Sequence, residues 1–329
     1  MQKLRAAALL AASAVVLAGC SSTASGSDDG DGTIRIVAST NVYGDIAAQI
    51  GGDRVEVTTI IDSASQDPHS YEATARDRLA VQDADLVAWN GGGYDAFIET
   101  LLDGSDAHVF TAAEFSHDHP DNGGHDAGDD HADEDAEAGH DHEEDGDHSG
   151  HDHIEGFNEH VWFDPHTMIH VVEGMAEELG ELDEDGAADF TAAAADIIAD
   201  LEAAEAELET IKADADGAGI FMTEPLPGYI AASAGLTDLT PAGFAEAVEE
   251  GTDVSPATLL DALEIIDSGD VKVVLTNAQT GGAETQRIEE AAEAAGIPVV
   301  AFTELLADGS SYSEWMHDAI QSLADALRS

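Results

Sequence analysis

Apolar and polar positions alternate at two different spacings along the chain from residue 33 onward. Short apolar runs predict strands, and apolar residues four positions apart, such as Ile46 and Ile50, predict helices. Since strands and helices alternate, a parallel sheet covered by helices is expected. The predicted strands are 34–38, 55–61, 85–89 and 107–110, and the predicted helices are 41–50, 73–84 and one that follows Gly91-Gly92-Gly93.

The second half of the chain repeats this alternation, and two helical patterns, 166–182 and 187–213, separate the halves. The second of these helices would be about 40 Å long at 1.5 Å per residue, enough to bridge two lobes. We therefore predict an α/β fold of two lobes, each with a mostly parallel sheet flanked by helices, joined by one long helix. A binding cleft is expected where the carboxyl ends of the strands face each other. The later predicted strands are 219–223, 271–276 and 297–302, and the later helices are 256–268, 283–295 and 313–327.

A histidine-rich segment interrupts the pattern between residues 116 and 155. Its forty residues contain nine of the fifteen histidines and sixteen acidic residues, with no Lys or Arg. No apolar residue recurs at helix or strand spacing, so a disordered loop is predicted. Imidazole and carboxylate groups bind Zn²⁺ and similar ions, which predicts weak auxiliary metal sites, although an acidic solubilising insert is the alternative. The auxiliary candidates are His140, His142, His151 and His153.

The amino terminus has the pattern of a bacterial signal peptide. Lys3 and Arg5 precede an apolar stretch, 6–18, that is too short to span a bilayer as a helix. The stretch ends at Leu17-Ala18-Gly19-Cys20, which resembles a lipobox, and Cys20 is the only cysteine. Lipidation of Cys20 would leave residues 20–33 as a flexible tether. The protein is therefore expected outside the cytoplasm, attached to the cell membrane only through its lipid anchor.

The formal net charge is −60, from 70 acidic and 10 basic residues. This charge argues against nucleic acid and anionic membrane surfaces as partners. Because the histidine-rich segment holds only sixteen of the acids, the excess is spread along the whole chain. Such a composition is typical of proteins adapted to concentrated salt, where screening weakens self-repulsion. An unchanged melting temperature between low salt and molar NaCl, at fixed metal, would contradict this hypothesis.

Two short motifs carry candidate metal ligands. Asp67-Pro68-His69 follows the second predicted strand, and His160 precedes the helix predicted from His166. Taken alone, His69 is typical of a turn or capping residue, and the second motif of a helix entry with Pro at its first turn. His166 and His170 are four positions apart on a predicted helix, a spacing that suits a metal pair but also two surface residues.

Together these motifs resemble the ZnuA-like family of solute-binding lipoproteins, which serve zinc and manganese ABC importers. The segment 67–72 matches the family pattern D-P-H-x-Y-E, and the segment 160–165 matches H-x-W-x-x-P, which a His-rich loop precedes in zinc members. The family fold, two α/β lobes joined by one long helix, agrees with the predicted elements. Further matching segments are 89–94, 223–229, 255–256 and 277–280. The implied organisation is a signal peptide at 1–19, a tether at 20–33, an N-terminal lobe at 34–183, a linking helix at 184–216 and a C-terminal lobe at 217–329.

The resemblance implies a metal site in the cleft between the lobes. It assigns His69 and His160 from the N-terminal lobe and Glu224 from the C-terminal lobe as ligands. Two imidazoles and one carboxylate suit Zn²⁺ or Mn²⁺ and leave a further position open. Candidates for that position are water, Asn277, Gln279 or a histidine of the loop.

Zn²⁺ is the predicted cargo, and Mn²⁺ is the alternative. The His-rich segment favours zinc, as does the lack of a carboxylate in the segment 277–282, where manganese members place an Asp. Glu224 favours manganese, because several zinc members carry His at that position. Some zinc members also place an acid directly before the first His, where this chain has Pro68.

The function implied by the resemblance is capture of a divalent metal ion and its delivery to the permease of an ABC importer. A surface adhesin, a zinc buffer and a zinc hydrolase are the alternatives. No H-E-x-x-H or G-x-S-x-G motif is present, so an enzyme is not expected. We expect a monomer without a nucleic-acid partner.

Overall fold

Two parallel sheets with the same strand order form the framework of the protein. The computed structural model describes residues 33–63, 65–122, 154 and 156–329. The strands are β1 (Ile34–Thr40), β2 (Val55–Ile61), β3 (Leu86–Trp89), β4 (His108–Thr111), β5 (Gly219–Met222), β6 (Thr237–Asp238), β7 (Val271–Asn277) and β8 (Val299–Phe302). The first sheet has the order β2-β1-β3-β4 and the second β6-β5-β7-β8, and all neighbouring strands are parallel.

Helices connect the parallel strands and cover the sheets. In the first lobe these are α1 (Asn41–Gly51), α2 (Ala75–Gln82), α3 (Phe97–Leu102) and α4 (Pro165–Leu182). All four residues of β3 are buried, as are six of the seven residues of β7. Strands buried on both faces carry continuous apolar runs, which explains why they are easily seen in the sequence.

The long helix α5 (Ala187–Ala215) joins the two lobes. Its 29 residues span about 43 Å at 1.5 Å per residue. It packs against α1 and α4 in the first lobe and against α6 (Gly228–Ser233) and α10 (Tyr312–Arg328) in the second. Its buried residues recur at alternating spacings of four and three, which keeps them on one face. They are Phe190, Ala194, Ile197, Leu201, Ala204, Leu208 and Ile211.

Direct hydrogen bonds also tie the second lobe to the first. The Asn41 side chain at the start of α1 donates to Leu306 O and accepts from Leu306 N, both at 3.0 Å. The Tyr312 hydroxyl donates to Trp162 O at 2.6 Å, and Tyr312 N donates to Asp45 Oδ2 at 2.7 Å. The start of α10 is therefore fastened to α1 and to the segment that follows His160.

The fold class predicted from the sequence is confirmed, with differences in detail. The strand predicted at 297–302 begins only at Val299, because Pro298 has no N–H to give to a sheet. The two-residue strand β6 and the six-residue helices α6 and α7 (Phe244–Glu249) were not predicted. Elements this short do not complete the repeat on which periodicity depends. The remaining helices, α8 (Pro256–Asp267) and α9 (Ala283–Ala295), lie where they were predicted.

Within the predicted loop, Ser116 and His119 are buried, whereas His117, Asp118 and Pro120 are exposed. His119 is buried, with its ring edge-on to Phe157 at a centroid distance of 5.5 Å. Asn122 Nδ2 donates to Glu114 O at 2.6 Å and to Ser116 O at 2.7 Å. The auxiliary candidates His140, His142, His151 and His153 lie outside the described residues, as do the signal peptide, Cys20 and most of the predicted tether. Among the described residues, no helix combines the length and the apolar character needed to cross a membrane.

Candidate metal centre

His69 lies in a short 3₁₀ turn, Pro68–Ser70, beyond the carboxyl end of β2. Asp67 fixes the turn, since Oδ1 accepts from His69 N at 3.0 Å and Oδ2 accepts from the Ser70 hydroxyl at 2.7 Å. The imidazole is buried, with the ring of Tyr94 edge-on to it at 4.8 Å. His69 therefore lies in a turn, but its side chain is buried and does not face solvent.

His160 lies close to His69, with a ring-centroid distance of 6.0 Å, and only 1% of it is exposed. Asn158 Oδ1 accepts from His160 N at 3.1 Å and contacts Nδ1 at 2.7 Å. Because an amide oxygen only accepts, Nδ1 carries the proton. In the neutral form of the ring, Nε2 would then present its lone pair. This is the usual state of a metal-binding histidine. The Asn158 side chain also donates to Pro225 O at 3.0 Å, which joins the two lobes beside the histidine.

The three glycines after β3 form a tight turn. Gly91, Gly92 and Gly93 all have positive φ, at 75°, 67° and 101°. A Cβ on Gly91 would lie 2.5 Å from Cγ2 of Thr111, so the position has neither the conformation nor the space for a side chain. The turn places Tyr94 beside His69. Asn90, directly before the turn, donates to Glu159 O at 2.9 Å and so anchors the segment that carries His160.

Glu224 is the candidate from the second lobe, two residues beyond the end of β5. Only 3% of it is exposed. One carboxylate oxygen accepts from the Thr280 hydroxyl, and the other accepts from Asn277 Nδ2 at 2.8 Å. The acid is therefore held in a fixed orientation.

Glu304 is a second buried carboxylate of the cleft that sequence reasoning missed. Its Oε1 accepts from Asn277 Nδ2 at 2.7 Å, and its Oε2 accepts from the Tyr94 hydroxyl at 3.0 Å. A carboxylate oxygen of Glu304 lies within 4.8 Å of a ligand atom of His69 and one of Asp67. The segment 277–282 has no carboxylate, but Glu304 brings a second one to the cleft from a later segment. The acid follows β8 and not β7, and its position directly after a predicted strand was the signal available in the sequence.

The two amides named as candidates for a fourth ligand form hydrogen bonds around the carboxylates. Asn277 Oδ1 accepts from Gln279 N at 2.9 Å, while its Nδ2 holds Glu224 and Glu304. Gln279 Oε1 accepts from Glu304 N at 2.6 Å and from Leu305 N at 3.0 Å. Asn277 therefore orients both carboxylates through its Nδ2, and Gln279 fixes the backbone of Glu304.

A further group of potential ligands surrounds the two histidines. Ligand atoms of His69, Glu159, His160 and Glu249 all lie within 4.8 Å of one another. His160 Nε2 is 3.3 Å from Glu249 Oε1, and His69 Nδ1 is 3.9 Å from Glu159 Oε1. With Asp67, Glu224 and Glu304, the described cleft combines two imidazoles with five carboxylates.

The electrostatics of this cleft suit a cation. Burial raises the pKa of Glu304 to about 7, although hydrogen bonds from Asn277 and Tyr94 act in the opposite direction. Burial also raises the pKa of Glu224, and burial together with the charges of Glu159, Glu224 and Glu304 raises that of Glu249. A divalent ion would compensate for the desolvation and mutual repulsion of these carboxylates. The residues present therefore fit a divalent metal ion as a bound substrate.

Three histidines outside the cleft pair with surface acids. His166 Nδ1 lies 3.2 Å from Glu205 and His170 Nδ1 lies 3.2 Å from Glu173, with the two imidazole rings 5.1 Å apart. His317 pairs with Glu207 at 3.1 Å. These histidines are exposed and are not part of the cleft.

The chain belongs to a known family of transport proteins. Residues 36–326 match the family model of ZnuA, described as zinc-uptake complex component A, periplasmic. Members are metal-binding, substrate-binding components of ABC importers and are not known as enzymes.

Several of the curated relatives that the chain resembles are named for manganese, and others only for a metal. The manganese-binding lipoprotein MntA of Halalkalibacterium halodurans is 28% identical over 194 residues, which cover 58% of this chain and 54% of MntA. The manganese ABC transporter substrate-binding lipoprotein ScaA of Streptococcus gordonii is 36% identical over 91 residues, which cover 28% of this chain and 29% of ScaA. The chain thus spans about half the length of the first relative and less than a third of the second.

Solved structures share the whole two-lobe fold. The laminin-binding adhesin Lmb of Streptococcus agalactiae has a TM-score of 0.66 at 20% identity, with coverage of 89% of this chain and 99% of Lmb. A crystal structure of ZnuA has a TM-score of 0.65 at 20% identity, with coverage of 90% and 99%. At these identities the similarity establishes the fold alone.

Proposed function

We propose that this chain is an extracytoplasmic lipoprotein that binds one divalent transition-metal ion between its lobes and delivers it to the permease of an ABC importer. The observation that carries the proposal is the meeting of histidines and acids across the cleft. His69 and His160 come from one lobe, and Glu304 approaches His69 from the other, linked through Asn277 to Glu224. Two imidazoles and two carboxylates suit a borderline divalent cation and leave it exchangeable, because no thiolate takes part.

Manganese is the cargo that the donor set supports better. Mn²⁺ prefers more oxygen ligands and a higher coordination number than Zn²⁺. The sequence-based argument for zinc relied partly on a missing second carboxylate, which Glu304 supplies. The names of MntA and ScaA support the same cargo.

Zinc is the second candidate, and the histidine-rich segment favours it. Nine histidines in forty residues are more than an acidic solubilising insert requires. The matching family is also described as a zinc-uptake component. A surface adhesin or a zinc buffer would not require a buried, preorganised cleft with ligands from both lobes.

Lipidation of Cys20 would attach the protein to the outer face of the cell membrane, and the relatives' designation as lipoproteins supports this. We expect Cys20→Ala to release the protein into the medium or to leave its precursor uncleaved. Ser22→Ala is the control and should stay in the membrane fraction. Unchanged membrane fractionation of Cys20→Ala would contradict the proposed anchor.

Elemental analysis of the purified protein, together with competition titrations of Mn²⁺ and Zn²⁺, tests the function. We expect one tightly bound ion per chain, and cells that lack the protein should lose manganese accumulation under manganese starvation. A protein whose metal binding is only weak and multiple would contradict a role as receptor. Cells that fail only under zinc chelation would identify zinc as the cargo.

A further inference from the structure

Glu249 places an additional carboxylate at the cleft histidines, outside the four proposed ligands. It is the last residue of α7 in the second lobe, whereas His160 belongs to the first lobe. Glu249 Oε1 is 3.3 Å from His160 Nε2, the ring nitrogen opposite the one that faces Asn158. The contact therefore crosses the cleft and reaches the ring nitrogen that His160 would offer to a metal.

The fold around α7 holds this carboxylate in place. Phe244, the first residue of α7, is fully buried, and its ring lies edge-on to Phe221 at 5.2 Å. Gly243 and Gly251 flank the helix with φ values of 75° and 63°. A Cβ at either glycine would meet no atom within 4 Å, so the backbone conformation is what requires glycine there. The two turns direct α7 so that its last residue lies over the cleft.

The spacing of the two groups fits joint coordination of an ion. Two donors at about 2.1 Å from one ion lie roughly 3.4 Å apart in a tetrahedral shell and roughly 3.0 Å apart at adjacent positions of an octahedral one. The 3.3 Å separation of His160 Nε2 and Glu249 Oε1 lies between these two values. Glu249 Oε1 is buried and accepts no hydrogen bond from the described residues. A ligand atom of Glu249 also lies within 4.8 Å of ligand atoms of His69 and Glu159, so one ion can reach the whole group.

We propose that Glu249 is a further protein ligand of the cargo metal and that it binds the ion together with His160. The inference depends on the proposed function, because it adds a ligand to the same site. A buried carboxylate is costly unless a cation or hydrogen bonds compensate for its lost hydration. A further oxygen donor also raises the coordination number of the site, which favours Mn²⁺ over Zn²⁺.

Glu249→Gln tests the assignment, because it removes the charge and one ligand oxygen while the shape is kept. Glu250→Gln is the matched control, since Glu250 is the next residue, is exposed and undergoes the same change of charge. We expect Glu249→Gln to raise the Kd for Mn²⁺ at least tenfold and Glu250→Gln to change it less than twofold. The Kd for Zn²⁺ should rise less than that for Mn²⁺.

The ligands of the metal are tested by visible absorption spectroscopy of the Co²⁺-loaded protein, because the spectrum of Co²⁺ depends on the number and type of its ligands. The spectrum of the Co²⁺-loaded Glu249→Gln protein should differ from wild type, and that of Glu250→Gln should not. A wild-type Kd in Glu249→Gln would overturn the proposal. A weakened Kd with an unchanged Co²⁺ spectrum would also overturn it, because Glu249 would then act only through its charge.

Further measurements separate this inference from the function on which it depends. If wild type binds neither Mn²⁺ nor Zn²⁺ tightly, the proposed function fails. If His160→Ala loses binding while Glu249→Gln keeps it, the function stands and the role of Glu249 is refuted. Should Glu249→Gln not fold, Glu249→Asp keeps the charge but withdraws the carboxylate by one methylene. A Co²⁺ spectrum of Glu249→Asp identical to wild type would then count against direct ligation.

Discussion

Glu224 and Glu304 accept hydrogen bonds from the same atom, Asn277 Nδ2, at 2.8 and 2.7 Å. The acids follow β5 and β8, and Asn277 ends β7, which lies between those strands in the sheet. The strand order therefore places one amide between two buried carboxylates. Held this way, the acids are oriented before the metal arrives, so binding does not have to bring two like charges together.

Asn277→Ala should weaken metal binding although Asn277 is not a proposed ligand. Loss of the shared donor leaves two buried carboxylates less well held, and we expect the Kd for Mn²⁺ to rise about tenfold, as for other residues that orient metal ligands. The metal-free protein should also lose about 2 kcal/mol of unfolding free energy, since each hydrogen bond goes to a charged group. Competition titration and thermal unfolding measure the two effects.

Asn122→Ala is the control for this experiment. Asn122 Nδ2 also donates to two oxygens, but these are the backbone carbonyls of Glu114 and Ser116, outside the cleft. Metal affinity should stay at the wild-type value in this variant. Equal loss of affinity in Asn122→Ala and Asn277→Ala would show that the effect is one of general stability.

Replacement of either cleft histidine should abolish tight binding and leave the fold intact. Each lobe has its own sheet and covering helices, so His69→Ala and His160→Ala should keep the wild-type circular dichroism. In wild type, metal at about 100 times its Kd should stabilise the fold by roughly 2.7 kcal/mol, and this gain should vanish in both variants. Exposed His170 provides the control, since His170→Ala should keep the full thermal shift. A full shift in both cleft variants would place the tight site elsewhere.

Apolar runs in the sequence predicted the described strands other than β6. His69 and His160 were singled out only because their motifs resemble those of a known family. His69 and His160 each lie in a segment whose neighbours, Asp67 and Asn158, fix the local backbone. The second lobe was less predictable. Glu304 and Glu249 reach the cleft because of strand order and the direction of a short helix, and neither is a property of a local window.

The residue at which the histidine-rich loop begins could not be predicted from local composition. Composition predicts a loop from residue 116, yet His119 is buried against Phe157, which lies almost forty residues later in the chain. Such long-range packing overrides a polar composition wherever an apolar partner is available. Ser116 and His119 therefore pack against the N-terminal lobe.

Metal affinity should fall as the pH decreases through 7. Burial raises the pKa of Glu304 to about 7, so below this pH the carboxylate carries a proton that competes with the metal.

The stability of the metal-free protein should change in the opposite sense. A native pKa above the unfolded value means that the native state binds more protons, so unfolding free energy is lost as pH rises from about 4.5 to 7, by roughly 3 kcal/mol.

Thermal unfolding of the metal-free protein between pH 5 and pH 8 checks the sign. The melting temperature should decrease with pH, and saturating Mn²⁺ should restore more stability at pH 8 than at pH 5. In Glu304→Gln the decrease should be smaller, because the neutral amide does not titrate. A melting temperature that rises over this range in the metal-free wild type would contradict the role assigned to the buried acids.

Removal of residues 123–153 should lower the metal stoichiometry and spare the tight site. This deletion keeps residues 116–122. In a second variant, a Gly/Ser linker of the same length replaces residues 123–153 and serves as the control for chain connectivity. Calorimetry should show one tight metal-binding event followed by weaker ones in wild type. The deletion variant and the linker variant should both show the tight event alone. Loss of the tight event alone would show that a histidine of the removed segment is a ligand at the cleft. Loss of nearly all metal binding would instead indicate a zinc buffer.

Glu224→His should separate a manganese site from a zinc site. A third imidazole gives a nitrogen-rich shell that still suits tetrahedral Zn²⁺, whereas Mn²⁺ loses an anionic oxygen that it prefers. Raw preference is a poor test, because most nitrogen and oxygen sites bind Zn²⁺ more tightly than Mn²⁺. The informative quantity is the change in the ratio of the two Kd values. If the cleft is built for manganese, we expect the Kd for Mn²⁺ to rise at least tenfold more than that for Zn²⁺. Cells that carry the variant should also lose manganese uptake. Glu264→His, the same change at an exposed position on α8, should leave both values unaltered. Equal changes for the two metals, with growth lost only under zinc chelation, would overturn the assignment of manganese.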